Sequence, residues 1–152
     1  MMEQKRVLFA DDDADFRDFM RDAVSEVSTA IGVDIIITEA KDGKEAITLF
    51  DESCEQKNPF DFVVTDYKMP IATGIDVIRH IVNTSPVPII VISGHKEAEV
   101  VDFIREGAII FVSKPFQFEK MCSAFQAAIS LSLSKDDIHK VDDAIRRLES
   151  LL

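Results

Sequence analysis

Two hydrophobic rhythms alternate along the chain: short unbroken apolar runs, and longer stretches with an apolar residue at every third or fourth place. The first run, Arg6 to Ala10, stops at Asp11 and reads as a buried strand. Behind it Phe16, Phe19, Met20, Ala23, Val24 and Val27 recur at helical spacing. They predict a helix of roughly four turns, with acids at its start where the helix dipole favours negative charge. "VDIIITEA" is short and β-branched, and "DGKEAITLF" resumes a helical pattern behind a turn signal at Asp42-Gly43. "FDFVVTD" predicts the third strand, the turn "YKMPIATG" follows, and the next helix presents Ile75, Val77, Ile78, Ile81 and Val82 as its buried face. "VPIIVIS" is a fourth strand, with "KEAEVVDFIREG" its helix and Gly107 at the cap. "AIIFVSK" is a fifth strand and "FEKMCSAFQAAISL" a fifth helix, apolar at Phe118, Met121, Phe125, Ala128 and Ile129.

Strand and helix thus alternate through residues 5 to 131. Apolar strands alternating with amphipathic helices specify an α/β fold, a parallel sheet covered by helices on both faces. In such sheets ligands sit beyond the carboxyl ends of the strands, at the point where the strand order reverses. That rule directs attention to the residues that end each strand.

Composition narrows the picture. The chain has 152 residues, 47% hydrophobic and 30% charged, with 5 Gly and 5 Pro, which suits one folded domain. A formal net charge of -11 opposes direct binding to nucleic acid, because phosphate attraction needs clustered Lys and Arg. Cys54 and Cys122 have neither zinc-site nor disulfide-framework spacing, no signal-peptide pattern opens the chain, and no segment approaches the roughly 18 apolar residues of a membrane span. A cytoplasmic location is the expectation.

The strand ends bring a short list of polar groups to one rim. Asp11, Asp12 and Asp13 follow strand one, Asp66 follows strand three, Ser93 strand four and Lys114 strand five, whereas strand two ends in Glu39 with nothing comparable. Singly, each has a plain explanation: Asp12 or Asp13 as a helix cap, Asp66 or Ser93 in a turn, Lys114 as a solvated loop residue. Jointly they are complementary. Clustered carboxylates repel, so one is protonated or the cluster holds a cation. An all-oxygen donor set favours a hard ion such as Mg²⁺. With the charge neutralised, a carboxylate such as Asp66 could attack a phosphoryl group, while Lys114 offset the phosphate charge and the Ser93 hydroxyl bonded a phosphoryl oxygen.

"VLFADDD", "DFVVTDYKMP", "VISG" and "FVSKPF", in that order and spacing, are the segments by which the chain resembles a response-regulator receiver domain of two-component signalling, over about residues 5 to 131. The resemblance implies a flavodoxin-like (βα)5 three-layer sandwich with a five-stranded parallel sheet of order 2-1-3-4-5. It also implies that Asp66 is the phosphoacceptor and that Asp11 and Asp12 help hold Mg²⁺ together with Asp66 and the backbone carbonyl of Lys68. Arg17 sets that register and leaves Asp13 as a helix-start residue. Ser93 matches the hydroxyl switch, Lys114 the phosphate-binding lysine, and Phe111, three residues before it, the aromatic switch, although tyrosine is frequent at that place. Lys68 and His95 occupy positions where phosphoryl lifetime is tuned.

By the same resemblance a sensor histidine kinase supplies the phosphoryl group, the fourth helix, fifth strand and fifth helix form the face that changes, and an unknown downstream protein or a missing output domain reads it. The protein's only catalysis would be of its own phosphorylation and dephosphorylation. Residues 1-131 are assigned to the receiver and 132-152 to a C-terminal amphipathic helix, where Ile138, Val141, Ile145, Leu148 and Leu152 recur at spacings of 3, 4, 3 and 4. That helix packs on its own domain, forms a homodimer, binds a partner, or begins a linker. Two rival readings stand beside this one. A haloacid-dehalogenase-type phosphatase would use Asp11 in "DDDAD", but would leave Asp66 idle. A degenerate receiver would serve only as a binding module, which the intact set of Asp11, Asp12, Asp66, Ser93 and Lys114 opposes.

Overall fold

A computed structural model describes residues 3–94 and 110–132 of the chain. The helix expected from "KEAEVVDFIREG", with His95 and Gly107, and the heptad segment beyond residue 132 lie outside the described residues. Among the described residues nine elements run in the order β1 (Gln4–Ala10), α1 (Ala14–Ile31), β2 (Asp34–Ala40), α2 (Gly43–Glu55), β3 (Phe62–Asp66), α3 (Gly74–Thr84), β4 (Ile89–Ser93), β5 (Ile110–Ser113) and α4 (Phe118–Ser132). All strands pair in parallel, in the order β2-β1-β3-β4-β5. The chain leaves β1 toward one edge and returns on its other side as β3, so the order reverses between those two strands.

Period-two alternation divides the strand residues between two cores. Leu8, Ala10, Val63, Ile89 and Val91 face Ala46 and Phe50 of α2 and Val77, Ile78 and Ile81 of α3. Val7, Phe9, Phe62, Val64, Ile90, Ile92 and Val112 face Met20, Val24 and Val27 of α1 and Met121, Phe125, Ala128 and Ile129 of α4. Nearly every strand residue between Val7 and Ile92 in the three central strands is fully buried. This is why those strands read as continuous apolar runs rather than as alternating ones.

Local chemistry sets the helix ends. Asp13 caps α1 by accepting from the backbone N–H groups of Asp15 and Phe16, and Gly32, at φ 72°, closes it in the left-handed conformation. Asp42 caps α2, and Thr73 with Asp76 forms a reciprocal capping box on α3.

Several elements differ from their sequence reading. β1 begins at Gln4 because Gln4 and Lys5 pair with Asp34 and Ile35, and α2 continues past Phe50 to Glu55. Val82 is exposed rather than buried, since it lies about a quarter turn around α3 from the stripe of Val77, Ile78 and Ile81. Phe19 is 54% exposed for the same reason, a quarter turn from Met20, Val24 and Val27 on α1. Phe118 is also exposed, in the first turn of α4, where the apolar stripe has only begun to meet the sheet.

Candidate functional site

Strand register builds the site. Ala10 is the partner of Thr65, so the next residues, Asp11 and Asp66, leave β1 and β3 side by side at the switch point. Asp66 pairs with Ile92, Ser93 pairs with Ser113, and the Lys114 N–H donates to the Ser93 carbonyl at 2.9 Å. Four neighbouring strands thus deliver Asp11, Asp66, Ser93 and Lys114 in a row along one rim, as their positions in the sequence predicted.

Within this row the Lys114 ammonium is shared between two acids. Its Nζ lies 3.1 Å from Asp11 Oδ2 and 3.3 Å from Asp66 Oδ2. Asp11 is buried and Asp12 exposed, and one oxygen from each of Asp11, Asp12 and Asp66 lies within 4.8 Å of the others. The Asp66 carboxyl is pushed above its ordinary range by burial, and further by the charge of Asp11. Lys114 and the Tyr67 N–H, which donates to Asp66 Oδ1 at 2.8 Å, pull the other way without cancelling the rise. Three converging carboxylates, with one of them destabilised as an anion, fit a hard divalent cation, which would take their oxygens in place of water. Asp11, Asp12 and Asp66 are the residues that would hold it.

The supporting backbone is tightly tied. The Asp11 N–H donates to the Ala40 carbonyl at 3.1 Å, and the Asp11 side chain accepts from the Asp13 N–H at 2.9 Å. Arg17 donates to the Asp11 carbonyl at 2.7 Å. After β3 the chain turns sharply, and the Gly74 N–H donates to the Tyr67 carbonyl at 2.8 Å, bringing the start of α3 against the end of β3. Ala72 of that turn presses on Gly43, where a Cβ would stand 2.1 Å from the Ala72 carbonyl oxygen. Asp42-Gly43, read as a turn signal, is therefore a helix cap followed by a close-approach glycine.

Ser93 is fully buried at the end of β4. Phe111 is half-buried on β5 and packs against the core that contains Val63 and Val91. Lys68 is exposed on the turn after Asp66, and His95 lies outside the described residues.

Two features escaped the sequence reading. Glu39, set aside there as having no comparable role, accepts from Arg21 Nε at 3.0 Å and from Arg21 Nη2 at 2.7 Å, and stands 3.8 Å from Arg17 Nε. It is a brace for the arginine that holds Asp11. Phe16 places its ring against the Lys114 ammonium, 3.9 Å from Nζ to the ring centroid. Periodicity assigned Phe16 to the core face of a helix, and nothing in the local sequence pairs it with a lysine almost a hundred residues away.

A family model described as the response regulator receiver domain matches residues 7–126. The transcriptional regulatory protein PdtaR of Mycobacterium tuberculosis is 33% identical over 127 residues, covering 83% of this chain but 57% of that protein, so the chain spans little more than half the length of that relative. The chemotaxis protein CheY of Thermotoga maritima is 37% identical over 122 residues, which cover 79% of this chain and 93% of CheY. A crystal structure of the CheX-CheY-BeF3-Mg+2 complex from Borrelia burgdorferi superposes with a TM-score of 0.66 at 27% identity, covering 81% of this chain and 87% of that one.

Proposed function

The chain belongs to the response-regulator receiver family, and from that premise we propose that it is a signalling switch that accepts a phosphoryl group on Asp66. The observation that carries the reading is the triangle of Lys114 Nζ with Asp11 Oδ2 and Asp66 Oδ2, at 3.1 and 3.3 Å, on the rim of a parallel sheet where its strand order reverses. The likeness to a CheY crystallised with BeF3 and Mg+2 supports the same assignment.

In the proposed reaction a carboxylate oxygen of Asp66 attacks the phosphorus of a phosphohistidine on a sensor kinase. An O–P bond forms as the P–N bond breaks, and its electron pair departs with the imidazole nitrogen. Bound Mg²⁺ would neutralise charge on the acids and the transferring group. Lys114 releases one carboxylate to pair with a phosphoryl oxygen, keeping its charge where negative charge accumulates. The Tyr67 N–H fixes one oxygen of Asp66, leaving the other toward the rim.

A phosphoryl group adds charge and acceptor oxygens beside Ser93 and Lys114. The conformer in which both reach it gains contacts that the other lacks, so modification shifts the population. Phe111, packed beside β4, is the proposed reporter of that shift, and a downstream protein reads the face to which it belongs. Lys68 and His95 are proposed to tune the lifetime of the adduct through their side chains, while the Lys68 carbonyl completes the Mg²⁺ site. Among the described residues no helix is long and apolar enough to cross a membrane, and the proposed setting is the cytoplasm. Residues 132-152 are proposed as a dimerising, partner-binding or linker helix.

Incubation with Mg²⁺ and acetyl phosphate tests the function. A stable covalent adduct that is lost in Asp66→Ala supports the receiver reading. Continuous phosphate release that is lost in Asp11→Ala and kept in Asp66→Ala would instead make the protein a hydrolase.

A further inference from the structure

Lysine carries its charge on a flexible four-carbon stem, so an ammonium that must wait at one point needs more than its ionic partners to hold it. Lys114 has such a support. Its Nζ is bounded on one side by Asp11 and Asp66 and on another by the face of Phe16, at 3.9 Å from the centroid. The negative face of an aromatic ring attracts a cation at this distance. The ring itself is held in place by Phe9, in the core of β1, 6.1 Å away centroid to centroid, and by Phe116, 6.4 Å away in an edge-on arrangement, while Phe19, at 6.0 Å, is a largely exposed neighbour. Phe16, Phe19, Lys114, Pro115 and Phe116 together line a hollow of about 390 Å³.

We propose that Phe16 is a positioning residue for Lys114, an aromatic wall that keeps the ammonium over the acid pair and ready for an incoming phosphoryl oxygen. An aromatic face suits this task where a carboxylate would not. Three acids already crowd this rim, and a fourth negative charge beside them would add to their repulsion and compete with the phosphoryl group for the lysine. The ring holds the cation without adding formal charge and without an acceptor lone pair, so the ammonium keeps its N–H donors for Asp11, Asp66 and the phosphoryl oxygen. The inference rests on the phosphoacceptor reading of Asp66.

The test compares initial rates of adduct formation with acetyl phosphate and Mg²⁺ in the full chain and in Phe16→Leu, Phe16→Tyr and Phe19→Leu. Phe16→Leu keeps an apolar side chain but removes the ring, and its rate is expected to fall roughly three- to tenfold, in line with the strength of a partly exposed cation–π contact. Phe16→Tyr restores most of the rate. Phe19→Leu changes a largely exposed neighbour, leaves Phe9 and Phe116 against the Phe16 ring, and leaves the rate unchanged. In parallel, the ε-methylene protons of Lys114, shielded by the ring, move downfield in NMR spectra of Phe16→Leu but not of Phe19→Leu. Equal rates in the wild type and Phe16→Leu overturn the inference, as does an equal loss in Phe19→Leu or no recovery in Phe16→Tyr. If the wild type forms no adduct, the phosphoacceptor reading fails first and takes this one with it.

Discussion

A Cβ at residue 74 would stand 2.4 Å from the backbone carbonyl oxygen of Asp66, closer than such atoms approach in proteins. Gly74 therefore lets α3 begin directly behind the proposed acceptor, and its N–H closes the turn on Tyr67. The obstructing atoms are backbone, which cannot swing aside as a side chain does. Gly74→Ala is expected to destabilise the fold by about 1–3 kcal/mol, the usual cost of overpacking, and to displace the Asp66–Tyr67 peptide. Urea denaturation checks the first effect and the rate of adduct formation the second. A variant with wild-type midpoint and rate would show that the turn is not constrained in this way.

Ile71 presents the opposite case, a residue ill suited to its backbone. It is β-branched at φ 74° and 77% exposed, so it bears left-handed strain with little packing in return. Ile71→Asn substitutes a residue that tolerates this conformation and should stabilise the protein by about 1 kcal/mol. The measurement is the shift in the denaturant midpoint at constant slope; a lower midpoint would mean that Ile71 contributes contacts that outweigh its strain.

Glu39 and Arg17 couple the end of β2 to the acids proposed to hold Mg²⁺. Removing the carboxylate in Glu39→Ala leaves Arg21 without its two bonds and frees Arg17 to leave the Asp11 carbonyl. The expected result is weaker Mg²⁺ binding, because the arginine that holds the Asp11 carbonyl loses its ionic partner. Tyr67 is the single tyrosine of a chain without tryptophan and adjoins Asp66, so its fluorescence gives a local titration signal. A dissociation constant for Mg²⁺ equal to that of the wild type would show that Glu39 does not support the acid cluster.

The raised pKa of Asp66 has a definite consequence for stability. Burial and the Asp11 charge lift it above the ordinary carboxyl value of 3.8, so within the window between that value and the folded one the folded state holds more proton than the unfolded. The contribution of Asp66 is complete below the window and is lost as pH rises through it. Asp66→Asn keeps the shape without the charge and should escape this loss, gaining stability relative to the wild type as pH is raised toward neutrality. Added Mg²⁺ should narrow the difference, because a cation bound only by the folded wild type stabilises it. Thermal melts across pH, with and without Mg²⁺, check both effects; a gap that does not grow with pH would contradict the assignment.

The legibility of the fold followed from burial. Central strands such as Phe62–Asp66 are covered on both faces and so open as unbroken apolar runs, and each run stops at or just before its residue at the rim. Asp11, Asp66, Ser93 and Lys114 could therefore be placed along one edge from sequence, and the register of the strands brings them together. Residues on the flanks of helices were harder to place. Phe19 and Val82 share the helical period of the core but sit a quarter turn from it, and only the docking of the helix decides which flank is covered. Contacts between distant segments, such as Phe16 with Lys114 or Glu39 with Arg21, leave no trace in local periodicity. Gly43 and Gly74 carry a weaker signal, a glycine at the first position of a helix, whose reason is visible only when the opposing backbone is in place.

If the rim acids, Lys114 and the β3 turn serve to phosphorylate one carboxylate, peptide mass spectrometry of the protein after incubation with acetyl phosphate and Mg²⁺, with the adduct trapped by borohydride reduction, reads it most directly. Modification is expected at Asp66 alone, dependent on Mg²⁺ and sharply reduced in Lys114→Ala. Label at Asp11 or Asp12 with Asp66 unmodified would contradict it, as would an Asp66 adduct that forms equally well without the metal.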